Sequence, residues 1–350
     1  MRRVAVIVCV FLLLVAAAGV AVYRTADPSA RTTGLVLYGH RKVLADLAGA
    51  VRTRPQVVWA GDSTLMRIAQ YPSYVDFIKR DVLDPAHVGT VMLAAPGMDA
   101  YSYWSLSGRI AALHPKLVVL IANLRTFMPE GGVRGLSDLA GEIPLTDLPR
   151  TLALPYYIRG MTAPRLLLAR ALATQLGEDV FLTFEGVRRN VQEAAAWRWL
   201  GPENRAPIPG EQFLRFADMS ERLLVAFDRP LGPSNPLLRF TAATVSRLVD
   251  AGATVLVVVT PMPWERSLET HHYEEGRFAS RIALLRDVVE SSGGRLVDLH
   301  RGLTKQFFRD TDCHFTADGA AEVAKLLTPE VRRILAERGV LAKSPAPQPG

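Results

Sequence analysis

The sequence predicts an α/β fold in which helices cover both faces of a parallel sheet. Five short runs rich in Val, Ile and Leu end in small or polar residues, which is typical of strands buried on both faces. Helical stretches separate these runs along the chain. Alternation of strand and helix is the pattern of an open parallel sheet, so we expect a three-layer α/β/α arrangement.

The predicted elements follow one another in regular order. The strands are expected at residues 56–60, 88–94, 116–121, 254–259 and 295–299. The helices are expected at residues 36–51, 74–80, 103–113, 237–251 and 277–291. In terms of domains, we expect a connector and helix at residues 26–54 and the main domain at residues 55–340.

A long stretch between the third and fourth strands interrupts the alternation. Residues 127–236 contain helical patches, many prolines and clusters of aromatic residues, but no convincing series of strands. The stretch is longer than an ordinary loop, so we predict an insertion that covers one side of the sheet. Its aromatic residues are expected to pack in the ordinary way, with contact to a sugar or an acyl chain as the alternative. Residues 341–350 are rich in proline and are expected to form a disordered tail.

The composition excludes several classes of protein. Of the 350 residues, 49% are hydrophobic and 21% are charged, which is enough to bury a large core. The two cysteines, Cys9 and Cys313, are too few for a disulfide scaffold or a structural zinc site. The formal charge of +7 fits an acidic partner such as a phospholipid surface or an anionic polymer. The positive residues are scattered and carry no nucleic-acid-binding motif, so nucleic acid is not an expected partner.

The N-terminus predicts export. Arg2 and Arg3 precede residues 4–23, which are uncharged and, at about 1.5 Å per residue, can cross a hydrocarbon layer of about 30 Å. A cleaved signal has an apolar stretch of only about 7 to 15 residues, so a retained transmembrane anchor is favoured for residues 1–25. Small residues at 16–21 leave a cleaved signal sequence as the alternative. Either way, the catalytic domain is expected to be periplasmic or extracellular.

Small and polar residues follow the predicted strands, at the edge where open α/β sheets bind ligands. Ser63 follows the first strand, Gly97 the second and Asn123 the third. His314 comes after the fifth strand, with two aspartates just before it. Because the carboxyl ends of parallel strands meet at one edge, these residues are expected to lie close together.

These residue types suit acyl transfer. A serine hydroxyl becomes a good nucleophile when a base takes its proton, and His314 is the expected base. A carboxylate two to four residues earlier, Asp312 or Asp310, can orient the imidazole and stabilise its charged form. Three donors are available for the negative oxygen that forms during attack: the backbone N–H groups of Ser63 and Gly97 and the side-chain amide of Asn123.

The same residues resemble the motifs of the GDSL esterases, also called SGNH hydrolases. Residues 61–65, Gly-Asp-Ser-Thr-Leu, resemble the first motif of that family, and Gly97, Asn123 and His314 follow in the family's order. The resemblance covers roughly residues 56–327, interrupted by the insertion. It implies a flavodoxin-like α/β/α fold, a Ser-His-Asp triad, and hydrolysis or transfer of ester-linked acyl groups without a metal or a cofactor. Members with an N-terminal membrane segment often act on O-acyl groups of cell-envelope polymers.

Two motifs of this chain depart from the family's pattern. The third motif usually reads Gly-x-Asn-Asp, whereas alanine precedes and leucine follows Asn123 here. The last motif usually has an aspartate three residues before the histidine, where this chain has Thr311. Related envelope enzymes have a single residue between aspartate and histidine. That spacing favours Asp312 as the triad acid and keeps Asp310 as the alternative.

A second polar cluster has a structural explanation. It consists of residues 271–275, which include two histidines and two glutamates. The spacing of these residues is not that of a zinc motif, so we expect a solvated helix start and no metal. The chain also lacks a Gly-x-Ser-x-Gly motif, a phosphate-binding loop and a dinucleotide-binding motif.

The resemblance and the N-terminal segment lead to three functional expectations. The first is an extracytoplasmic serine esterase that removes a small acyl group, such as acetyl, from a cell-envelope glycan. The second is an O-acyltransferase that passes the acyl group from Ser63 to a sugar hydroxyl. The third, from a different class, is a non-catalytic envelope assembly or glycan-binding protein that has kept the fold.

Overall fold

The computed structural model describes residues 40–66, 72–95, 97–127, 231–233, 235–309 and 313–342. The strands of this part of the chain are β1 (Val57–Gly61), β2 (Thr90–Ala94), β3 (Leu117–Ala122), β4 (Thr254–Val259) and β5 (Arg295–Asp298). Its α-helices are α1 (His40–Thr53), α2 (Tyr74–Ile78), α3 (Ala100–Ala112), α4 (Pro236–Asp250), α5 (Trp264–Glu269), α6 (Glu275–Ser291) and α7 (Ala317–Glu337). A π-helical turn continues α2, and two 3-10 turns complete the described elements: Lys79–Leu83, Leu124–Phe127 and Lys305–Phe307.

The five strands form one parallel sheet in the order β2-β1-β3-β4-β5. The chain therefore starts with an inner strand, β1, adds β2 on one side of it and then crosses to β3 on the other side. This is the flavodoxin-like strand order. In such sheets the ligand crevice lies at the carboxyl ends of β1 and β3, where the strand order reverses. The predicted α/β fold with a parallel sheet is confirmed.

Burial follows the position of each strand in the sheet. Every residue of β1 and β3 is buried, and only the first residue of β4 is partly exposed. The outer strands, β2 and β5, are partly exposed, because each has a neighbouring strand on one side alone.

Two apolar cores separate the three layers. Alternate residues of β1 point to opposite sides, so Val58 and Ala60 belong to one core and Val57 and Trp59 to the other. The first core is built with α1, α3, α4 and α6, and the second with α2 and α7. The predicted α/β/α layering is thus present in the described residues.

Two described helices, α5 and α7, are not among the predicted elements. The helix α7 begins at a clear signal, since the Thr316 side chain accepts a hydrogen bond from the Gly319 N–H. Pro329 lies inside this helix. An internal proline breaks the pattern by which a long helix is normally predicted.

Three predicted segments lie outside the described residues in whole or in large part. They are the N-terminal anchor or signal sequence at 1–25, most of the insertion at 127–236, and most of the tail at 341–350. In the portion of the chain that the structure describes, no helix has the length and apolar character needed to cross a membrane.

Candidate active site

Ser63 lies in the turn that follows β1, at the carboxyl edge of the sheet. Two backbone hydrogen bonds close this turn: Leu65 N–H donates to the Asp62 carbonyl at 3.1 Å, and Met66 N–H donates to the Ser63 carbonyl at 3.2 Å. Asp62 and Thr64 are buried, whereas Ser63 between them is partly exposed. The turn therefore presents the serine hydroxyl at the end of the sheet while its neighbours anchor it.

Gly61, the last residue of β1, allows this turn to pack tightly. A Cβ atom at position 61 would lie 2.4 Å from Cδ1 of Leu65 and 2.7 Å from Cγ1 of Ile121. Contacts this short are not tolerated in a packed core. The glycine thus lets the Leu65 side chain fold back against β1 and β3 directly beneath Ser63.

His314 lies within hydrogen-bonding distance of Ser63. Its Nε2 atom is 2.9 Å from the Ser63 Oγ atom. In the neutral tautomer with the proton on Nδ1, Nε2 accepts the proton of the serine hydroxyl. A nucleophile in direct contact with a base is the geometry required for nucleophilic catalysis.

The segment that carries His314 is held on both sides. Before it, Arg309 N–H donates to the His314 carbonyl at 3.0 Å, and Phe308 and Phe315 form an antiparallel bridge. After it, Thr316 N–H donates to the Phe307 carbonyl at 2.9 Å. The backbone of His314 is therefore fixed by hydrogen bonds that do not involve Ser63.

The carboxylate of Asp62 links the Ser63 turn to the end of β3. It is 1% exposed. One oxygen accepts from the Thr64 N–H at 3.0 Å and the Thr64 hydroxyl at 2.7 Å, and the other accepts from the Asn123 side-chain amide at 3.0 Å. These three donors satisfy the buried carboxylate, and their bonds fix the relative positions of β1 and β3 at the sheet edge.

The orientation of the Asn123 side chain follows from its partners. Its amide oxygen accepts from the Arg125 N–H at 3.1 Å, and its amide nitrogen donates to Asp62. The same nitrogen lies 3.4 Å from the Cys313 sulfur. An amide flipped by 180° would place two donors together and two acceptors together, so only this orientation fits.

Gly97 lies in the turn after β2, with a φ of +73°. Glycine adopts this conformation without the steric cost that a side chain adds. The preceding strand reaches towards β1, because Ala95 N–H donates to the Gly61 carbonyl at 3.3 Å. Gly97 therefore follows the strand paired with the one that carries Ser63.

Two buried tyrosines, Tyr74 and Tyr103, lie near Asp62. Burial raises the pKa values of Tyr74 and Tyr103 well above the usual range, and the charge of Asp62 adds to both shifts. The Tyr103 hydroxyl donates to the Ile121 carbonyl at 2.8 Å. Both side chains belong to the apolar cores on the two sides of the sheet.

A small cleft opens beside the serine and the histidine. Its described lining consists of Ser63, Thr64, Met66, Pro72, Arg309, His314 and Phe315. The cavity among them measures about 10 Å³, which is room for roughly one water molecule.

The structure brings some of the predicted site residues together and does not describe others. Ser63 and His314 are in contact, and Asn123 is bonded to the residue that precedes Ser63. Gly97 follows the neighbouring strand. Asp312 and Asp310 lie outside the described residues, so the identity of the triad acid stays a prediction, as do the roles of the whole set.

Two contacts at the site were not predicted. The sequence shows Asp62 and Cys313 beside Ser63 and His314, but nothing in it indicates that both side chains meet Asn123. The partners are 61 and 190 residues apart along the chain. Predicting these contacts would have required the three-dimensional arrangement of the segments at the sheet edge, with the Asp62 side chain directed inward.

The second polar cluster begins a helix, as expected. Glu275 is the first residue of α6. Glu274 pairs with Arg277 at 2.8 Å, and Glu275 pairs with Arg301 at 2.7 Å. The two carboxylates are therefore occupied by surface ion pairs.

Comparison with known proteins gives weak likenesses. No protein-family model matches the chain, and no curated protein matches it. Among solved structures, a lipase/acylhydrolase from Enterococcus faecalis is 13% identical with a TM-score of 0.39, over 83% of this chain and 98% of that one. An acetylxylan esterase from Geobacillus stearothermophilus is 10% identical with a TM-score of 0.36, over 79% of this chain and 94% of that one. Likenesses of this size do not carry the activities of those proteins over to this chain.

Proposed function

We propose that the protein is a serine esterase that forms an acyl-enzyme on Ser63. The observation that carries the proposal is the 2.9 Å contact between Ser63 Oγ and His314 Nε2. Support comes from the position of this pair, since the crevice beside β1 and β3 is where flavodoxin-like sheets bind ligands. The resemblance of the surrounding motifs to those of GDSL esterases points the same way.

In the first half of the reaction, Ser63 Oγ attacks the ester carbonyl carbon while His314 Nε2 takes the hydroxyl proton. The carbonyl oxygen becomes negatively charged and accepts hydrogen bonds from the backbone N–H groups of Ser63 and Gly97 and the amide of Asn123. The C–O bond to the alcohol then breaks, and His314 returns the proton to the leaving oxygen. The alcohol departs and the acyl group remains on Ser63.

In the second half, His314 deprotonates the acceptor, which attacks the acyl-serine. With water the products are the carboxylic acid and free Ser63, and the protein is a hydrolase. With a sugar hydroxyl the product is a new ester, and the protein is an O-acyltransferase. Both reactions use the same acyl-serine intermediate. In both, the proposed triad acid that orients His314 is Asp312, with Asp310 as the alternative acid.

The proposed substrate is a small acyl ester, with acetyl as the leading case, carried by a cell-envelope glycan. The short acyl group rests on the family resemblance, as does the glycan, which is also supported by the apolar N-terminal segment. That segment, preceded by Arg2 and Arg3, supports a membrane-anchored protein whose catalytic domain faces the periplasm or the cell exterior.

The proposal is tested by the turnover of p-nitrophenyl acetate. The full chain, purified in mild detergent, is compared with Ser63→Ala and with Ser280→Ala, which removes an exposed hydroxyl on α6. We expect Ser63→Ala to lower kcat by about 10⁴-fold or more and Ser280→Ala to leave it unchanged. Full activity in Ser63→Ala, or a folded wild-type protein without turnover, would contradict the proposal. The second result would favour the non-catalytic assembly or glycan-binding protein.

Hydrolysis and transfer are separated by adding an acceptor. N-acetylglucosamine oligomers are included in the same assay, and the products are analysed by mass spectrometry. Faster loss of p-nitrophenyl acetate together with recovery of acetylated sugar identifies a transferase. Unchanged turnover with acetate as the sole product identifies a hydrolase.

A further inference from the structure

The amide nitrogen of Asn123 has two hydrogen-bond acceptors in this structure. The nitrogen donates to the Asp62 carboxylate at 3.0 Å and lies 3.4 Å from the Cys313 sulfur. The two acceptors differ greatly in strength. A buried carboxylate oxygen is a strong acceptor, whereas a thiol sulfur is a weak one.

The weaker bond comes from the segment that carries the catalytic base. Cys313 is fully buried and directly precedes His314. The side chain of one residue thus contacts Asn123 while that of the next contacts Ser63. The segment around His314 therefore positions the proposed oxyanion donor as well as the nucleophile.

We propose that Cys313 is a positioning residue that holds the second N–H of Asn123 in the resting enzyme and releases it to the oxyanion during the reaction. The inference rests on the proposed esterase function. The Asp62 bond stays in place, and a small tilt of the amide about this bond turns its second N–H from the sulfur towards the oxyanion. Only a hydrogen bond is exchanged, from sulfur to the negatively charged oxygen, and the thiol forms no covalent bond.

The acceptor strength of the sulfur is the basis of this role. A group accelerates a reaction only through interactions that are stronger in the transition state than in the ground state. When an N–H group exchanges its acceptor for an oxyanion, the gain in hydrogen-bond free energy is larger if the first acceptor was weak than if it was strong. A hydroxyl at position 313 would stabilise the ground state and reduce this gain.

Two substitutions separate this role from simple packing. Cys313→Ser introduces a stronger acceptor with little change in shape, whereas Cys313→Ala removes the acceptor and leaves a small cavity. We expect kcat for p-nitrophenyl acetate to be at least about fivefold lower in Cys313→Ser than in Cys313→Ala, with similar KM values. A packing role predicts a Ser-to-Ala difference that does not depend on Asn123, because it would arise from cavity volume or from the burial of a hydroxyl. Thermal melting of each variant shows that the rates refer to folded protein.

The Asn123→Ala background provides the decisive control. Without the amide, a hydroxyl at position 313 has no N–H of Asn123 to hold, so the two substitutions should give equal kcat values there. A difference that persists in this background, or a Cys313→Ser variant at least as fast as Cys313→Ala, overturns the inference. Those results leave the esterase proposal intact, because they require an active wild-type enzyme. Absence of turnover in the folded wild type overturns both.

Discussion

The Nε2 atom of His314 lies 2.9 Å from the Oγ atom of Ser63, although 251 residues separate the two along the chain. The sheet brings them together, because Ser63 lies in the turn after β1 and His314 precedes α7, which packs on the same side of the sheet as α2. Each is held by its own backbone hydrogen bonds. The contact is thus a consequence of the fold rather than of local sequence.

Asp62→Asn tests the link between the Ser63 turn and Asn123. Asn can still accept from Thr64 with its oxygen, but its NH₂ group would then face the NH₂ group of Asn123. We expect kcat to fall by about 10- to 100-fold, because the proposed oxyanion donor is displaced. Steady-state kinetics beside Asp287→Asn, an exposed position on α6, measure this effect. Equal kcat values in both variants would show that Asp62 does not position the donor.

Asp312→Asn and Asp310→Asn identify the triad acid. Loss of the carboxylate that orients His314 should lower kcat by about 10³-fold or more, since the imidazole loses its correct tautomer and its partner charge. We expect this loss in Asp312→Asn and a much smaller one in Asp310→Asn. Measurement of kcat for both variants decides the assignment. The opposite order would give the role to Asp310.

Gly61→Ala tests the packing beneath the nucleophile. The new Cβ would meet Leu65 and Ile121 at distances no core accepts, so we expect a loss of about 1 to 3 kcal/mol in the free energy of unfolding. Gly49→Ala is the matched control, because a Cβ there meets nothing within 4 Å and the residue lies in α1. That change should be neutral or stabilising, by up to about 1 kcal/mol. Denaturant unfolding compares the two, and equal stabilities would mean that the turn relaxes at no cost.

Asp298→Asn tests a stabilising interaction at the end of β5. Burial tends to raise the pKa of Asp298, but hydrogen bonds from the His300 ring and backbone N–H outweigh it and lower the pKa. A lowered carboxyl pKa stabilises the fold above the unfolded value of about 3.9, and this contribution is lost as the pH falls through the folded value.

We therefore expect Asp298→Asn to cost about 1 kcal/mol at pH 7 and progressively less below pH of about 4. Urea unfolding at several pH values measures the difference, with the exposed Asp84→Asn as control. A cost that is the same at pH 7 and at acid pH would rule out the charge of Asp298 as its source.

The strands of the sheet were predicted well because buried parallel strands are short runs rich in Val, Ile and Leu. The fourth strand was predicted with its observed bounds, Thr254–Val259, and the first was displaced by a single residue. The placement of Ser63 and Asn123 at one edge followed from strand direction alone. By contrast, the bonds from Asn123 to Asp62 and Cys313 depend on side-chain directions after β1, after β3 and in the segment before α7, which no local pattern encodes.

Intact-mass analysis after exposure to a fluorophosphonate tests most directly whether Ser63 is an activated nucleophile. The full chain in detergent is labelled beside Ser63→Ala, and the modified peptide is identified after digestion. We predict a single adduct on Ser63 in the wild type and none in the variant. A folded wild-type protein that gains no adduct, or an adduct that persists in Ser63→Ala, would show that Ser63 is not an activated nucleophile.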